Sequence, residues 1–184
     1  MKTRIARLAV AAVVAATALV APAGAQAATS APYCGIHWGS LAKSGPGNLT
    51  SPITNVRAGR HQCFDRMVVD FSSGPSAFSV RYVSAVLTQG RGSVLPLRGG
   101  AFLEIVLQSA PFDLYGNPTY RPANPVGLVN VTGYSTFRQI ADGGTQERYT
   151  TIGLGVRAHL PFRVFTLAGP GSHSRLVIDV AHRW

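Results

Sequence analysis

The side chains that could carry out acid–base or metal chemistry are few and widely spaced in this sequence. Its seven carboxylates are Asp65, Asp70, Glu104, Asp113, Asp142, Glu147 and Asp179, and its five histidines are equally dispersed. A glycosidase needs two carboxylates facing across a cleft, and a zinc site needs a cluster of His, Cys or carboxylate ligands. Neither spacing occurs, and no H-E-x-x-H, G-x-S-x-G or P-loop motif is present. The sequence therefore predicts a protein that is not an enzyme and that holds no metal and no cofactor.

Two stretches, 66–71 and 175–180, share the pattern Arg, apolar, Val, apolar, Asp, apolar. On a strand, the Arg and Asp of one copy lie roughly 13 Å apart, which is too far for them to pair with each other. If the two strands are antiparallel neighbours with their central valines opposite, each arginine faces the aspartate of the other strand. The predicted structural ion pairs are Arg66 with Asp179 and Arg175 with Asp70. The alternative is that the pattern is a common composition of edge strands.

The two cysteines, Cys34 and Cys63, allow a single intramolecular pairing. In an oxidising compartment they are expected to form a disulfide, which would stabilise the fold by roughly 3–4 kcal/mol through loop closure. The alternative, a thiol nucleophile or a metal site, needs reduced sulfur with His or Asp close by.

An aromatic cluster, YCGIHWGS at 33–40, surrounds the first cysteine. Trp38 could form a platform for sugar rings, because aromatic faces pack on apolar surfaces, or it could be a core residue that covers the edge of a sheet. We predict ligand contacts from Trp38, Arg60 and His61. His61 and His182 flank the two repeated strands and either converge in space or are ordinary strand-end histidines.

The elements that must position these residues are β-strands. Short runs rich in Val, Ile, Phe, Tyr and Thr alternate with turn signals about every ten residues, which is typical of a sandwich or barrel. GLG at 153–155 lies inside such a run and indicates a bulge or a close backbone approach. Residues 110–125 contain four prolines and form the most loop-like region. We interpret them as an excursion from one all-β, β-sandwich-like single domain.

The N-terminal segment has the layout of a secretory signal peptide. A basic leader precedes fourteen uncharged residues at 8–21 and an A-x-A site at 25–27, and that apolar run is shorter than a membrane span. We predict a signal peptide at 1–27 and a mature β domain at 28–184, with no transmembrane span after cleavage. Without three leader cations, the mature chain has 14 basic and seven acidic residues, a net charge of +7. This charge favours anionic wall polymers, whereas the scattered basic residues argue against nucleic acid.

The chain resembles the AMIN-like domain family, exported actinobacterial proteins related to the AMIN domain found beside cell-wall amidases. The resembling pieces are IHWGSLAK at 36–43, VRAGRHQCFDRMVVDF at 56–71, VRYVSAV at 80–86, VLPLRGGAFLEIVL at 94–107, ERYTTIGLGV at 147–156, PFRVFTL at 161–167 and RLVIDVAH at 175–182. The resemblance implies a β-sandwich-like fold and, by analogy with the AMIN domain, a non-catalytic module that binds peptidoglycan. The sequence shows no amidase or other catalytic domain for such a module to deliver.

Together these observations predict a secreted or cell-wall-associated, non-catalytic domain that binds peptidoglycan or anionic wall polymers. The ligand contacts would combine aromatic rings with Arg donors to carboxylate or phosphate. Two alternatives stay open: a small secreted cell-wall hydrolase, and an inhibitor or adhesin that acts on a protein partner. An exposed proline-rich loop at 110–125 would favour the protein partner. The sequence makes no prediction of the oligomeric state.

Overall fold

The computed structural model describes residues 32–48 and 51–184. The predicted signal peptide at 1–27 lies outside the described residues. A short 3₁₀ turn, Tyr33–Gly35, precedes the strands. The strands of the described part are β1 Lys43–Gly45, β2 Ile53–Arg60, β3 Phe64–Phe71, β4 Phe78–Val83, β5 Ala101–Leu107, β6 Phe137–Gln146, β7 Tyr149–Val156, β8 Phe162–Ala168 and β9 Ser174–Ala181. Within these ranges no helix is long and apolar enough to cross a membrane.

The strands form two antiparallel sheets, one with the order β1-β4-β5-β7-β6 and the other with the order β2-β3-β9-β8. The predicted all-β, sandwich-like fold is therefore confirmed. Each sheet combines strands from both sides of the loop at 110–125, because β5 pairs with β7 and β3 pairs with β9. Neither half of the chain holds a complete sheet.

The core lies between the two sheets and is built by alternation along each strand. On β3, the buried side chains of Met67, Val69 and Phe71 point inward, and on β9 Leu176 and Ile178 do the same. Successive side chains of a strand point to opposite faces, so the intervening residues form the outer face of the four-stranded sheet. This outer face carries the repeated arginines and aspartates.

Strand β7 is buried over almost its whole length because a chain segment covers its outer face. A side chain at Gly155 would lie 1.9 Å from the carbonyl oxygen of Arg98, and one at Gly153 would meet Leu95 and Leu97. The close backbone approach that the GLG stretch indicates is confirmed. Glycine is needed at Gly155 because any β-carbon would collide with backbone.

The loop at 110–125 is an ordered excursion from the domain. Thr119 Oγ1 donates to the carbonyl oxygen of Ile53 on β2 at 2.6 Å, and Tyr120 packs against the core. At the tip, the Asp113 carboxylate accepts hydrogen bonds from the backbone amides of Tyr115 and Asn117, both at 2.8 Å. The tip presents Leu114 and Tyr115 to solvent, with Tyr115 91% exposed.

Candidate ligand-binding face

Strands β3 and β9 are antiparallel neighbours with Val68 opposite Val177. This is the register of the cross-strand hypothesis, and it places Arg66 opposite Asp179. Arg66 binds Asp179 through two bonds, from Nε to Oδ1 at 2.7 Å and from Nη2 to Oδ2 at 2.9 Å. A fork of this kind fixes both distance and orientation.

The structure corrects the second predicted ion pair, that between Asp70 and Arg175. These residues are register partners, but Arg57 on β2 binds both oxygens of Asp70, at 2.8 and 2.9 Å. Arg175 donates from Nη2 to the carbonyl oxygen of Ala168 at 3.2 Å instead. The physical reason is that Arg57 reaches the carboxylate as a bidentate fork, which is stronger than a single-point contact.

Asp179 is the centre of a three-residue ion cluster. Arg163 on β8 lies opposite Asp179 on the side away from Arg66, and its Nε donates to Oδ2 at 2.7 Å. The carboxylate is fully buried, whereas the side chains of Arg66 and Arg163 are 26% and 32% exposed. The hydrogen bonds to Asp179 raise the pKa of Arg66 above its ordinary value. The trio carries a net charge of +1 and holds both guanidinium groups at fixed positions on the face.

Three aromatic rings surround these guanidinium groups. The guanidinium carbon of Arg163 lies 5.1 to 5.6 Å from the ring centroids of Trp38, Phe64 and Phe165. That of Arg66 lies 5.1 Å from Phe64 and 5.6 Å from Phe165. All three rings are partly exposed. At these distances the guanidinium groups are attracted to the ring faces by cation–π interaction. We call these three rings, with Arg66, Arg163 and Asp179, the aromatic–arginine cluster.

Trp38 reaches the cluster because two connections hold its segment. Cys34 and Cys63 form the predicted disulfide, which ties the segment to the turn between β2 and β3. Trp38 Nε1 donates to the carbonyl oxygen of Tyr33 at 2.9 Å, and the amide of Phe162 donates to the carbonyl oxygen of Gly39 at 2.8 Å. The ring of Trp38 then packs at 5.9 Å from that of Phe64 and stays partly exposed.

The other two predicted contact residues, His61 and Arg60, lie in different places. The exposed His61 stacks on Phe64 with a centroid distance of 4.5 Å, so His61 and Trp38 flank the same ring. Arg60 points elsewhere, and its Nη1 donates to the carbonyl oxygen of Gly133 at 3.2 Å. The structure therefore brings Trp38 and His61 together and leaves Arg60 outside the cluster.

His182 has its own structural contacts, distinct from those of His61. Its Nε2 donates to Oδ1 of the fully buried Asp65 at 3.3 Å. The other oxygen of Asp65 accepts the backbone amides of Thr136 and Phe137 at 2.6 and 3.0 Å. These bonds connect the two sheets, because Asp65 lies on β3 and Phe137 begins β6.

Most carboxylates of the described chain are committed to groups of the chain itself. Those bonded to a backbone amide or an arginine are Asp65, Asp70, Glu104, Asp113, Asp142 and Asp179. Within residues 32–48 and 51–184, no group of three or more His, Cys, Asp or Glu residues lies close enough together to hold a metal ion. The chemistry that the face offers is contact by aromatic rings and hydrogen-bond donation by arginine.

Sequence reasoning missed Phe64, Arg163 and Phe165. The sequence does contain a signal for Arg163 and Phe165. The GPG turn at 169–171 separates PFRVFTL at 161–167 from the second repeat and so predicts a hairpin between them. In the resulting hairpin Ala168 faces Ser174, and counting back along β8 places Arg163 opposite Asp179. No local signal predicts that Phe64 lies between Trp38 and His61, since that contact depends on the path of residues 33–39.

Comparison with protein-family models gives a match over most of the described chain. The AMIN-like domain matches residues 51–182. No curated protein and no solved structure gives a significant match to the chain. The matched range includes Arg66, Arg163 and Asp179, whereas Trp38 and Cys34 precede it. The ion cluster thus lies within the matched range, and Trp38 lies N-terminal to that range.

Proposed function

Because the chain belongs to the AMIN-like domain family, we propose that it is a secreted, non-catalytic domain of the cell envelope that binds peptidoglycan or the anionic polymers attached to it. The family suggests a non-catalytic domain associated with the cell wall. The proposed signal peptide at 1–27 and mature domain at 28–184 agree with the Cys34–Cys63 disulfide, since disulfides persist in oxidising compartments.

The aromatic–arginine cluster is the observation that carries this proposal. Aromatic faces pack on the apolar faces of sugar rings, and arginine donates to carboxylate or phosphate groups of a glycan. Each arginine of the cluster uses Nε and Nη2 for Asp179. Within the described chain, Nη1 of Arg66 and of Arg163 makes no hydrogen bond, and both side chains are partly exposed. A partly exposed Trp38 beside these donors forms a shallow surface suited to an extended polymer.

The proposal is tested by co-sedimentation of the secreted protein with purified peptidoglycan sacculi at low and high salt. We expect binding that survives high salt and releases no soluble fragments. Trp38→Ala is expected to weaken binding roughly tenfold, because the loss of one aromatic contact costs on the order of 1–2 kcal/mol.

The matched control is Trp184→Ala, which removes the chain's other tryptophan. Trp184 is 68% exposed, but its Nε1 donates to the carbonyl oxygen of His159 and it lies outside the cluster. It should leave binding unchanged. Equal binding by both variants would remove the cluster from the proposal, and release of wall fragments would favour the hydrolase alternative.

A second candidate function is supported by the loop at 110–125. Its tip exposes Leu114 and Tyr115 on a turn that Asp113 holds rigid. An exposed aromatic on a fixed turn suits recognition of a protein partner, as in an inhibitor or adhesin. Tyr115→Ser leaves wall binding intact under the first proposal and abolishes partner capture under the second.

A further inference from the structure

A groove of about 360 Å³ opens on the same outer face, at the opposite end of the four-stranded sheet. Strands β2, β3 and β9 contribute Asn55, Arg57, Asp70 and Arg175, and the β8–β9 turn contributes Gly169 and His173. Arg175 and Asp179 are four residues apart on β9, so the groove lies roughly 13 Å from the aromatic–arginine cluster. One extended ligand can reach both places.

The groove carries an uncompensated positive charge. The bidentate contact with Arg57 neutralises Asp70. Arg175 has no carboxylate within 4 Å in the described part of the chain, and its one hydrogen bond there goes to the carbonyl oxygen of Ala168. The groove therefore has a net charge of +1, apart from any charge on His173.

Arginine nitrogens at the groove are left without hydrogen-bond acceptors among the described residues. Nε of Arg175 is buried and has no hydrogen-bond partner in the described residues. Nη1 of Arg57 also makes no hydrogen bond within the described residues. The side chain of Arg57 is 49% exposed, so this nitrogen can be reached from solvent. His173 contacts the carbonyl oxygen of Phe71 through Nδ1 at 3.2 Å, which places the hydrogen on that nitrogen. Buried donors in native proteins are paired, and an unpaired one calls for a bound ion, water or ligand.

We propose that this groove binds a singly charged oxyanion carried by the wall glycan, a carboxylate or a phosphodiester. The planar fork of arginine matches both groups, and a single negative charge balances the net charge of the groove. The inference rests on the proposed function for the source of the ligand. It deepens that function by adding a second contact: the cluster packs on sugar rings and donates hydrogen bonds to the glycan, and the groove binds a charged group farther along the same polymer.

The direct test titrates methyl phosphate and acetate into the purified secreted protein labelled with nitrogen-15. The arginine Nε–H signals are followed by NMR. We expect the Arg175 and Arg57 signals to shift and saturate. Arg175→Gln is expected to weaken the binding of both probes at least about tenfold, because the substitution removes a charge-assisted hydrogen bond. Arg175→Lys keeps the charge without the fork and should give an intermediate value.

The matched control is Arg91→Gln, which makes the same charge change in an exposed turn away from the face. It should leave probe binding unchanged. Circular dichroism and urea unfolding of each variant show whether it keeps the fold. Equal probe affinity in the wild-type protein and in Arg175→Gln, or a lack of saturable shifts at Arg175, would overturn the inference.

Sacculi then identify the source of the anion. If Arg175→Gln weakens binding only to sacculi that retain phosphodiester polymers, the ligand is the phosphodiester. If Arg175→Gln also weakens binding to sacculi stripped of those polymers, and esterifying the sacculus carboxylates removes this difference, the ligand is the carboxylate. Probe binding without any sacculus binding would leave the groove as an anion site and overturn the proposed function. Sacculus binding without a groove response to the probes would overturn the groove and keep the proposed function.

Discussion

At the scale of single residues, the aspartates of the two repeated stretches, Asp70 and Asp179, have different surroundings because different strands lie beside them. Asp179 receives Arg66 from β3 and Arg163 from β8, and it is fully buried. Among the described residues, Asp70 is bonded by one arginine, Arg57 from β2, and its side chain is 21% exposed. A buried carboxylate between two arginines cannot lose its partners without a large cost, whereas a half-exposed pair is screened by water.

Replacing the two aspartates separately is expected to give unequal losses of stability. Asp179→Ala leaves two arginines without a counter-charge and should lower the free energy of unfolding by about 3–5 kcal/mol. Asp70→Ala, the matched control in the other repeat, should cost about 1 kcal/mol or less. Urea unfolding followed by tryptophan fluorescence measures both. Similar losses for the two variants would contradict the central role of Asp179.

Tyr82 should make stability depend on pH in the alkaline range. Burial raises the pKa of Tyr82 to about 12, from an ordinary value of 10.0, although a hydrogen bond with Leu160 opposes the shift. A raised pKa in the folded state stabilises the fold below pH 10, and that contribution is lost as the pH rises through the folded value of about 12. Tyrosinate absorbance should show Tyr82 ionising late, and Tyr82→Phe should remove this part of the alkaline loss. Ionisation of all tyrosines together, without unfolding, would contradict it.

At the scale of elements, the sequence predicts strands and faces well but predicts neighbours poorly. Alternation in 66–71 and 175–180 is enough to assign the core side of each strand, because the period of two is set by backbone geometry. The alternation does not predict that Arg57 binds Asp70, since that ion pair depends on which strand lies beside β3. The contacts of Trp38 depend on the disulfide and on the path of residues 33–39, which no periodicity encodes. The sequence therefore predicts only part of the candidate site: Trp38 lies in the cluster and His61 stacks beside it on Phe64, whereas the position of Arg163 follows only from the order of the strands.

Gly155 on β7 should be among the least replaceable positions of the fold. The β-carbon of an alanine would lie 1.9 Å from the Arg98 carbonyl oxygen, so the covering segment must move. Gly155→Ala is expected to destabilise the protein by about 1–3 kcal/mol or more. Gly74→Ala is the control, because no atom lies within 4 Å of its added carbon. Thermal unfolding of the two variants decides the point, and equal midpoints would refute it.

The disulfide should matter for both stability and ligand binding. The double variant Cys34→Ser with Cys63→Ser frees the segment that carries Trp38, and it should lower stability by roughly 3 kcal/mol. Sacculus binding should fall along with stability. Trp38→Ala is the comparison, because it should reduce binding with a smaller loss of stability. Full binding by the disulfide-free protein would show that Trp38 is held in place by other contacts.

At the scale of the whole molecule, the two sheets share one core that neither half of the chain can close. β1 to β5 precede the loop at 110–125 and β6 to β9 follow it, yet each sheet takes strands from both groups. The contacts that complete each sheet, β5 with β7 and β3 with β9, join residues far apart in the sequence. In such topologies the loops must close before the long-range strand contacts form, so we expect slow folding.

Cutting the chain at the loop tip should therefore separate it into two parts that fold only together. The tip tolerates a break, because Tyr115 is 91% exposed and the local hydrogen bonds stay within residues 113–117. The fragment before the break exposes the unpaired edges of β3 and β5, and the fragment after it exposes those of β7 and β9. Each should be unfolded or aggregate alone, because an exposed strand edge with half a core is not stable.

An equimolar mixture of the two fragments should recover dispersed NMR signals, cooperative unfolding and sacculus binding. Binding requires both fragments, because Trp38 comes from one and Arg163 from the other. A fragment that unfolds cooperatively alone would mean that the core is divisible and that the loop joins two domains.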